Sequence, residues 1–515
     1  MRKYYLLCIL LLSFVSCDNS STGNGVSNTT NSGDDTSDFV DNETWSSTIN
    51  IVWNGTDVTV TGSADGVSVT NANGYVTVTS TAKNIEYAVS GNGKGQLSIY
   101  SDYKYKLSLE GLTLACSDGP AINNQCHKTC YAVLEGTNTL SDGSSYASSS
   151  EDRKAAFFSE GQICFSGSGS LNVTGNYKHA LASDDYIRLC SGTGTIDLTA
   201  KVSDGLHTND GVIINDGTLT INAVGEGIQC DTSSVVITGG TIDITSTTDK
   251  GILAYANIDI SGGTVNISSK YKCIKTESNL TISGGTITAV ATGSSSSGTP
   301  EGIEAKGTIT ISGGQVYAQA NDDAINSGGE MTITGGYVMA YSTGNDGLDA
   351  NGNMYIKGGL VYAICAGGAE VALDANTEDG YKLYVQGGTL VAIGGLENGA
   401  SLSQNCYSAS SWNKNTWYAL TVGNNVFAFK TPSSGGTTMV VSGASTPTLK
   451  SGVTPSGTSI FNSMAYYPAS VSGGSSVTLS SYSGGNAGGG PGGGGNPGGG
   501  PGGGGNPGGG GPGGW

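Results

Sequence analysis

Positive charge is scarce in this chain. Lysine and arginine total 22 against 41 aspartates and glutamates, a formal charge of −19, and that balance counts against nucleic acid as a partner. Histidine occurs three times, and no serine or cysteine sits in a nucleophile motif, so most hydrolytic chemistry lacks support. No apolar run reaches the ~20 residues a membrane-spanning helix needs; the longest is Tyr4 to Val15. Paired C-x-x-C motifs are also missing, which removes the usual zinc-finger arrangements. Charged residues of both signs make up only 12% of the chain, while Gly, Ser, Thr and Asn abound. That composition suits a thin, turn-rich β structure better than a helical enzyme.

At the N-terminus, Arg2 and Lys3 precede the apolar run, which stops at Phe14-Val15-Ser16-Cys17. This is the layout of a secretion signal over residues 1–16. Its end resembles a bacterial lipobox, with Phe14 where Leu is usual, and an ordinary cleaved signal is the alternative. The resemblance implies that Cys17 becomes the lipidated first residue, tying the protein to a membrane through lipid alone. The expected location is the cell envelope, at the outer membrane or cell surface. Loss of Arg2 and Lys3 leaves a mature charge of about −21. With Cys8 in the signal and Cys17 acylated, nine of the 11 cysteines remain, an odd number that argues against a full disulfide framework. Cys190, Cys230 and Cys273 fall at repeat positions held elsewhere by small residues and read as buried fillers. Cys116, Cys126 and Cys130 lie close together, and a disulfide among them is expected.

What the chain has in plenty is a repeated phrase, apolar-x-apolar-x-Gly-Gly-x-apolar-x-apolar. Its double glycines begin at Gly239, Gly262, Gly284, Gly313, Gly335, Gly358 and Gly387, at steps of 23, 22, 29, 22, 23 and 29 residues. Such a period marks a solenoid, and is too short for a propeller blade. Alternation sends Ile, Val and Leu to one face, and the glycines mark a corner. A second phrase, acidic-Gly-apolar, recurs at Asp204, Glu226, Glu301 and Asp346, with Asp323 in a variant form. Three strands and three corners per period describe an all-β, single-stranded parallel β-helix of about a dozen coils. Weaker coils run back through Gly217, Gly194, Gly169, Gly136 and Gly111. The expected organisation is a signal peptide at 1–16, a flexible linker at 17–43, a β-helix at 44–395, a C-terminal cap at 396–483 that covers the exposed sheet edge, and a Gly/Pro/Asn-rich disordered tail at 484–515.

On these features the chain resembles the carbohydrate-binding β-helix proteins of clostridia and Bacteroidetes, which are related in shape to family 9 pectate lyases. The resemblance rests on the segments Leu134 to Gly143, Gly167 to Tyr177, Ser203 to Asp210 and the Ile-Ser-Gly-Gly-Thr phrases. It implies a right-handed β-helix that holds calcium and binds cellulose or acidic pectic polysaccharide. The cluster best suited to calcium joins Asp322, Asp323 and Asn326 to Glu301 and Glu304 one coil before, and to Asp346 and Asp349 one coil after. Stacked carboxylates can supply the six to eight oxygens that Ca2+ requires. Asp322-Asp323-x-x-Asn326 also resembles the calcium phrase of the lyases. A second set is Asp184, Asp185, Asp204, Asn209 and Asp210; for any one of these acids, turn capping is the plainer role.

Carbohydrate recognition favours flat rings on a rigid surface. Alternation places Tyr317 and Tyr362 in one outward column after the glycine corner, and Tyr355 and Tyr384 in the outward column before it, although the terminal segment is in a position to cover them. Trp412 and Trp417 read as anchors of the cap. No catalytic residue is assigned. A calcium-dependent lyase would need a basic side chain such as Lys250, Lys272, Lys275 or Lys306 to abstract a proton, and a structural surface adhesin is the remaining alternative. The sequence points to a monomer.

Overall fold

The computed structural model describes residues 36–367 and 370–484; residues 1–16, Cys17 and the tail from 485 lie outside the described residues. The chain is all-β and built of stacked parallel coils, about 13 in number. It divides into two units. The first holds the described residues through Val290 together with Glu304–Gly314, and the second holds Ala291–Ile303 and the described residues from Gln315 onward.

In the first unit each period of the sequence becomes three strands. One coil contributes Val235–Ile237, Thr241–Ser246 and Ile252–Ala254; the next contributes Ile258–Ile260, Thr264–Ser269 and Ile274–Thr276. Parallel pairing sets Val235 on Ile258, Ile242 on Val265, Ile244 on Ile267 and Ile252 on Ile274, so like residues form apolar columns. These side chains are fully or almost fully buried. No coil buries its own apolar face, and the stack is what makes the core.

The double glycine has two separate jobs at its corner. Its second member is left-handed in every coil, with φ from +75° at Gly359 to +83° at Gly388, a conformation costly to any residue with a Cβ. Its first member lies against the coil before: a Cβ on Gly262 would stand 2.1 Å from the Thr238 carbonyl oxygen. The second glycine's carbonyl then accepts the first strand N–H of the next coil, as Gly240 does from Thr264 at 2.9 Å.

The first unit begins with Ser47–Gly55, parallel to Ile85–Lys94 and covered on its other edge by the antiparallel Asp57–Thr61, which blocks an edge otherwise open to pairing. Ahead of it, the short turns Thr36–Asp38 and Val40–Asn42 carry Asp38 into a buried pocket. There its carboxylate receives the Tyr186 hydroxyl and Arg188 Nη1, the latter at 3.0 Å.

In the second unit the coils run on through Leu360–Cys365, Leu373–Ala375, Leu383–Val385 and Thr389–Ile393, and parallel pairing reaches Ser401–Leu402. The chain then reverses. Met439–Ser442 pairs antiparallel with both Thr389–Ile393 and Cys406–Ala409. Trp417–Val422, Asn425–Lys430, Thr448–Ile460 and Ala465–Val477 close into a four-stranded barrel. Trp412 Nε1 donates to the Gly436 carbonyl at 2.8 Å, and Trp417 packs on Tyr466. The expected disulfide among Cys116, Cys126 and Cys130 is not formed: all three are buried free thiols, as are Cys190, Cys230 and Cys273.

Candidate acid site and aromatic columns

The acidic-Gly-apolar phrase places its acid just before the short third strand of a coil. In the second unit this brings Glu301, Asp323 and Asp346 to buried corner positions. The glycine that follows is needed for space: a Cβ on Gly347 would lie 2.6 Å from the Ala372 carbonyl oxygen. Glu301, Asp322 and Asp323 each offer an oxygen within 4.8 Å of the others. Asn326 Nδ2 donates to Glu301 Oε1 at 3.3 Å and Asp323 Oδ2 at 3.4 Å. Asp323 Oδ1 accepts the Asp346 N–H at 3.1 Å, and Asp346 Oδ1 accepts the Val371 N–H at 2.9 Å. Asp322 Oδ1 receives Asn345 Nδ2 at 3.0 Å.

A second line of acids runs beside these corners. Asn326, Asp349 and Asp374 occupy equivalent positions in Ile325–Ser327, Leu348–Ala350 and Leu373–Ala375, and the Leu373–Leu396 bridge brings Glu397 next. Burial first, then the negative charge of neighbours, pushes Asp323 up to about 8, with Asp349 and Asp322 as the main repelling groups. Asp346 is pushed to about 9 by burial and by Asp374, and Asp349 to about 6 by burial and by Asp322. Asp374 rises to about 8 through burial and its hydrogen bond with Glu397. Among the described residues no lysine, arginine or histidine forms a salt bridge with Asp322, Asp323, Asp346, Asp349 or Asp374. These five carboxyl groups are therefore crowded together where water is scarce, without a salt-bridged basic side chain among the described residues, and it is the cost of charging them there that raises the pKa values of Asp323, Asp346, Asp349 and Asp374.

Asp374 and Glu397 were not among the acids singled out from the sequence. The signal was present, since Leu373-Asp374-Ala375 repeats Leu348-Asp349-Ala350 letter for letter. A 25-residue step, longer than the usual period, separates Asp349 from Asp374 and hid it.

Glu304, expected in this cluster, belongs to the first unit and is otherwise engaged. Its carboxylate receives Lys272 Nζ at 2.8 Å and also Lys306, with Lys275 at 3.9 Å. Burial alone would raise its pKa, but the hydrogen bonds from Lys272 and Lys306 bring it below the ordinary carboxylate value. The lysines weighed as lyase bases are thus all ion-paired: Lys250 holds Glu226 and Asp249, Lys272 and Lys306 hold Glu304, and Lys275 holds Glu277.

The second acid set separates. Lys154 pairs with Asp184 and reaches Asn209 Oδ1 at 3.5 Å. Asp185 caps its own turn through the Tyr186 N–H at 2.9 Å, and Asp210 accepts the Thr232 hydroxyl at 3.1 Å. Asp204 turns elsewhere, towards His179 and His207.

Register places Tyr317, Met339 and Tyr362 in one column, and Tyr355 on Tyr384 in another, as alternation requires. Neither column is an open platform of ring faces. Tyr362 is wholly buried, its ring against Phe427 and Phe429 of the barrel and its hydroxyl donating to the Lys430 carbonyl at 2.9 Å. Tyr317 is only 6% exposed. Tyr355 and Tyr384 are half-buried and stack at 4.8 Å with planes 9° apart, while Lys357 Nζ lies over the Tyr355 ring at 4.4 Å. That separation is the strand spacing, so the two faces meet each other and the edges and hydroxyls point outward. More exposed rings stand at Tyr103, Tyr177 and Tyr255 of the first unit and Tyr381 of the second.

With that geometry in view, the comparisons fix the class. Residues 72–270 and 254–347 match the model of a family described as carbohydrate-binding domain-containing protein. Together these stretches span more than half of the chain, which belongs to that family. Carbohydrate is accordingly its class of partner, in agreement with the resemblance drawn from the motifs. The polysaccharide lyase-like protein from C. thermocellum, solved as a gadolinium derivative, is similar over 48% of this chain and 95% of its own length, at 23% identity and a TM-score of 0.35. No curated protein matches the chain.

Proposed function

We propose that the protein is an exported, lipid-anchored binder of acidic, pectic-type polysaccharide, and that calcium held by the stacked acids of the second unit assists the binding. The observation that carries this reading is the set of Asp322, Asp323, Asp346, Asp349 and Asp374, which lie on consecutive coils with no basic partner among the described residues. A hard dication with oxygen ligands offsets such charge, and its free coordination positions suit the carboxylates of a uronate chain. Glu301 and Asn326 complete the donor set, which contains only oxygen ligands once the Asn326 amide turns its carbonyl to the ion. Export and anchoring rest on residues 1–17. They predict that Cys17→Ala moves the protein from the membrane fraction to the soluble one.

Sedimentation with insoluble polygalacturonate and with cellulose, with and without calcium, tests the main reading, while ultraviolet absorbance watches for unsaturated uronate products. Calcium-dependent co-sedimentation with polygalacturonate and no product is the expected result. Appearance of product would make the protein a lyase, and binding indifferent to calcium would overturn the role of the acids. Asp322→Ala with Asp323→Ala should abolish calcium heat in calorimetry; an unchanged titration removes that site.

A further inference from the structure

The first unit gathers the chain's two buried histidines around one carboxylate. His179 opens the strand His179–Ser183 and His207 lies in the middle of Leu206–Thr208 one coil later; Asp204 stands at the corner before it. Asp204 Oδ2 is 3.0 Å from His179 Nδ1 and 3.1 Å from His207 Nδ1. The two imidazoles stack at 4.2 Å with planes 20° apart, and one ligand atom from each of the three residues lies within 4.8 Å of the others. The 3.0 and 3.1 Å separations are close to the roughly 3.3 Å edge of a tetrahedron whose metal–ligand bonds measure about 2.0–2.1 Å.

The surroundings are those of a ligand set with its supports in place. Asp204 Oδ1 is occupied by the Glu226 N–H at 3.0 Å and the Ser203 hydroxyl at 3.2 Å, which fixes the carboxylate with Oδ2 turned to the imidazoles. The far nitrogen of His207, Nε2, lies 3.4 Å from Asp231 Oδ2, and Gln229 Nε2 holds the other Asp231 oxygen at 2.7 Å. A carboxylate behind a histidine is the partner that fixes the tautomer of a metal-bound imidazole. His179 is 2% exposed and its Nε2 has no hydrogen-bond partner.

We infer that His179, Asp204 and His207 form a buried site for one borderline divalent transition metal, of the zinc or cobalt class, separate from the acids of the second unit. Two imidazole nitrogens and one carboxylate oxygen suit such an ion and suit calcium poorly. Three protein ligands leave a further position for water. The ion joins successive coils at a point where the sequence offers no Gly-Gly corner.

The test uses the full chain, stripped with a chelator and titrated with Co2+ in excess calcium, which occupies oxygen-only sites. One Co2+ per chain is expected, with a visible d–d band and no thiolate charge-transfer band, and stoichiometric displacement by Zn2+. Asp231→Asn, at a residue on the rim, should weaken binding roughly 10–100-fold, as loss of an outer-shell partner does. His207→Gln should abolish the band. Absence of stoichiometric Co2+ binding to the unsubstituted chain, a thiolate band from the buried cysteines, or full binding by folded His207→Gln protein would each overturn the assignment.

Discussion

Tyr362 shows what alternation along a strand settles and what it leaves open. Position parity places this ring in an outward column with Tyr317, and the register agrees. Parity says nothing about a distant segment, and the Phe427 and Phe429 rings arrive from 65 residues or more down the chain. Tyr362→Ala should therefore cost about 3–5 kcal/mol in a denaturant titration, the usual range for a large buried ring, and leave calcium binding intact. The corner glycines allow a paired comparison. Gly359→Ala meets both a left-handed φ of +75° and the Gly336 carbonyl oxygen 2.7 Å from its new Cβ, whereas Gly380→Ala meets the φ of +89° alone, with nothing within 4 Å. Gly380→Ala should cost about 1–2 kcal/mol, and Gly359→Ala clearly more, as read from the shift in denaturation midpoint.

At the scale of elements, the strands were legible and their fastenings were not. The phrase apolar-x-apolar-x-Gly-Gly locates two strands and a corner in each coil because a period of two and a left-handed turn have direct sequence signatures. The turns Thr36–Asp38 and Val40–Asn42 have none, and lie within what reads as a polar linker. They are fixed by Asp38, which meets Arg188 and Tyr186 some 150 residues on. Arg188→Met would leave the Asp38 carboxylate buried without a cation, a loss on the order of 3–5 kcal/mol for such a pair. Since the turns can detach instead, the expected outcome is early proteolytic cleavage between residues 36 and 46, followed by mass spectrometry, with the coils of the first unit still protected. Asp204 was singled out in a different set of acids, and its grouping with the two histidines was hidden for a related reason. His179 and His207 stand 28 residues apart, and only knowledge of which coil stacks on which brings them to one carboxylate.

For the whole molecule, the acidic balance of 22 basic against 41 acidic residues becomes specific once the coils are stacked. The sequence supplied most members of the acid cluster, because the corner phrase repeats. It misassigned Glu304, whose lysine partners Lys272 and Lys306 carry no phrase of their own, and it overlooked Asp374. If calcium binds the native chain and not the unfolded one, a concentration 100 times the dissociation constant should add about 2.7 kcal/mol of stability. Scanning calorimetry in chelator and in calcium would display this as a higher melting temperature, and Asp323→Asn with Asp346→Asn should erase the difference. The column Asn326, Asp349, Asp374 takes one residue from each turn of chain, and beneath each stands an apolar neighbour that does not depend on it. Duplicating a stretch of about two dozen codons therefore lengthens this row of side-chain oxygens by one place without redrawing the interior, so that the length of the row is inherited as a number of copies.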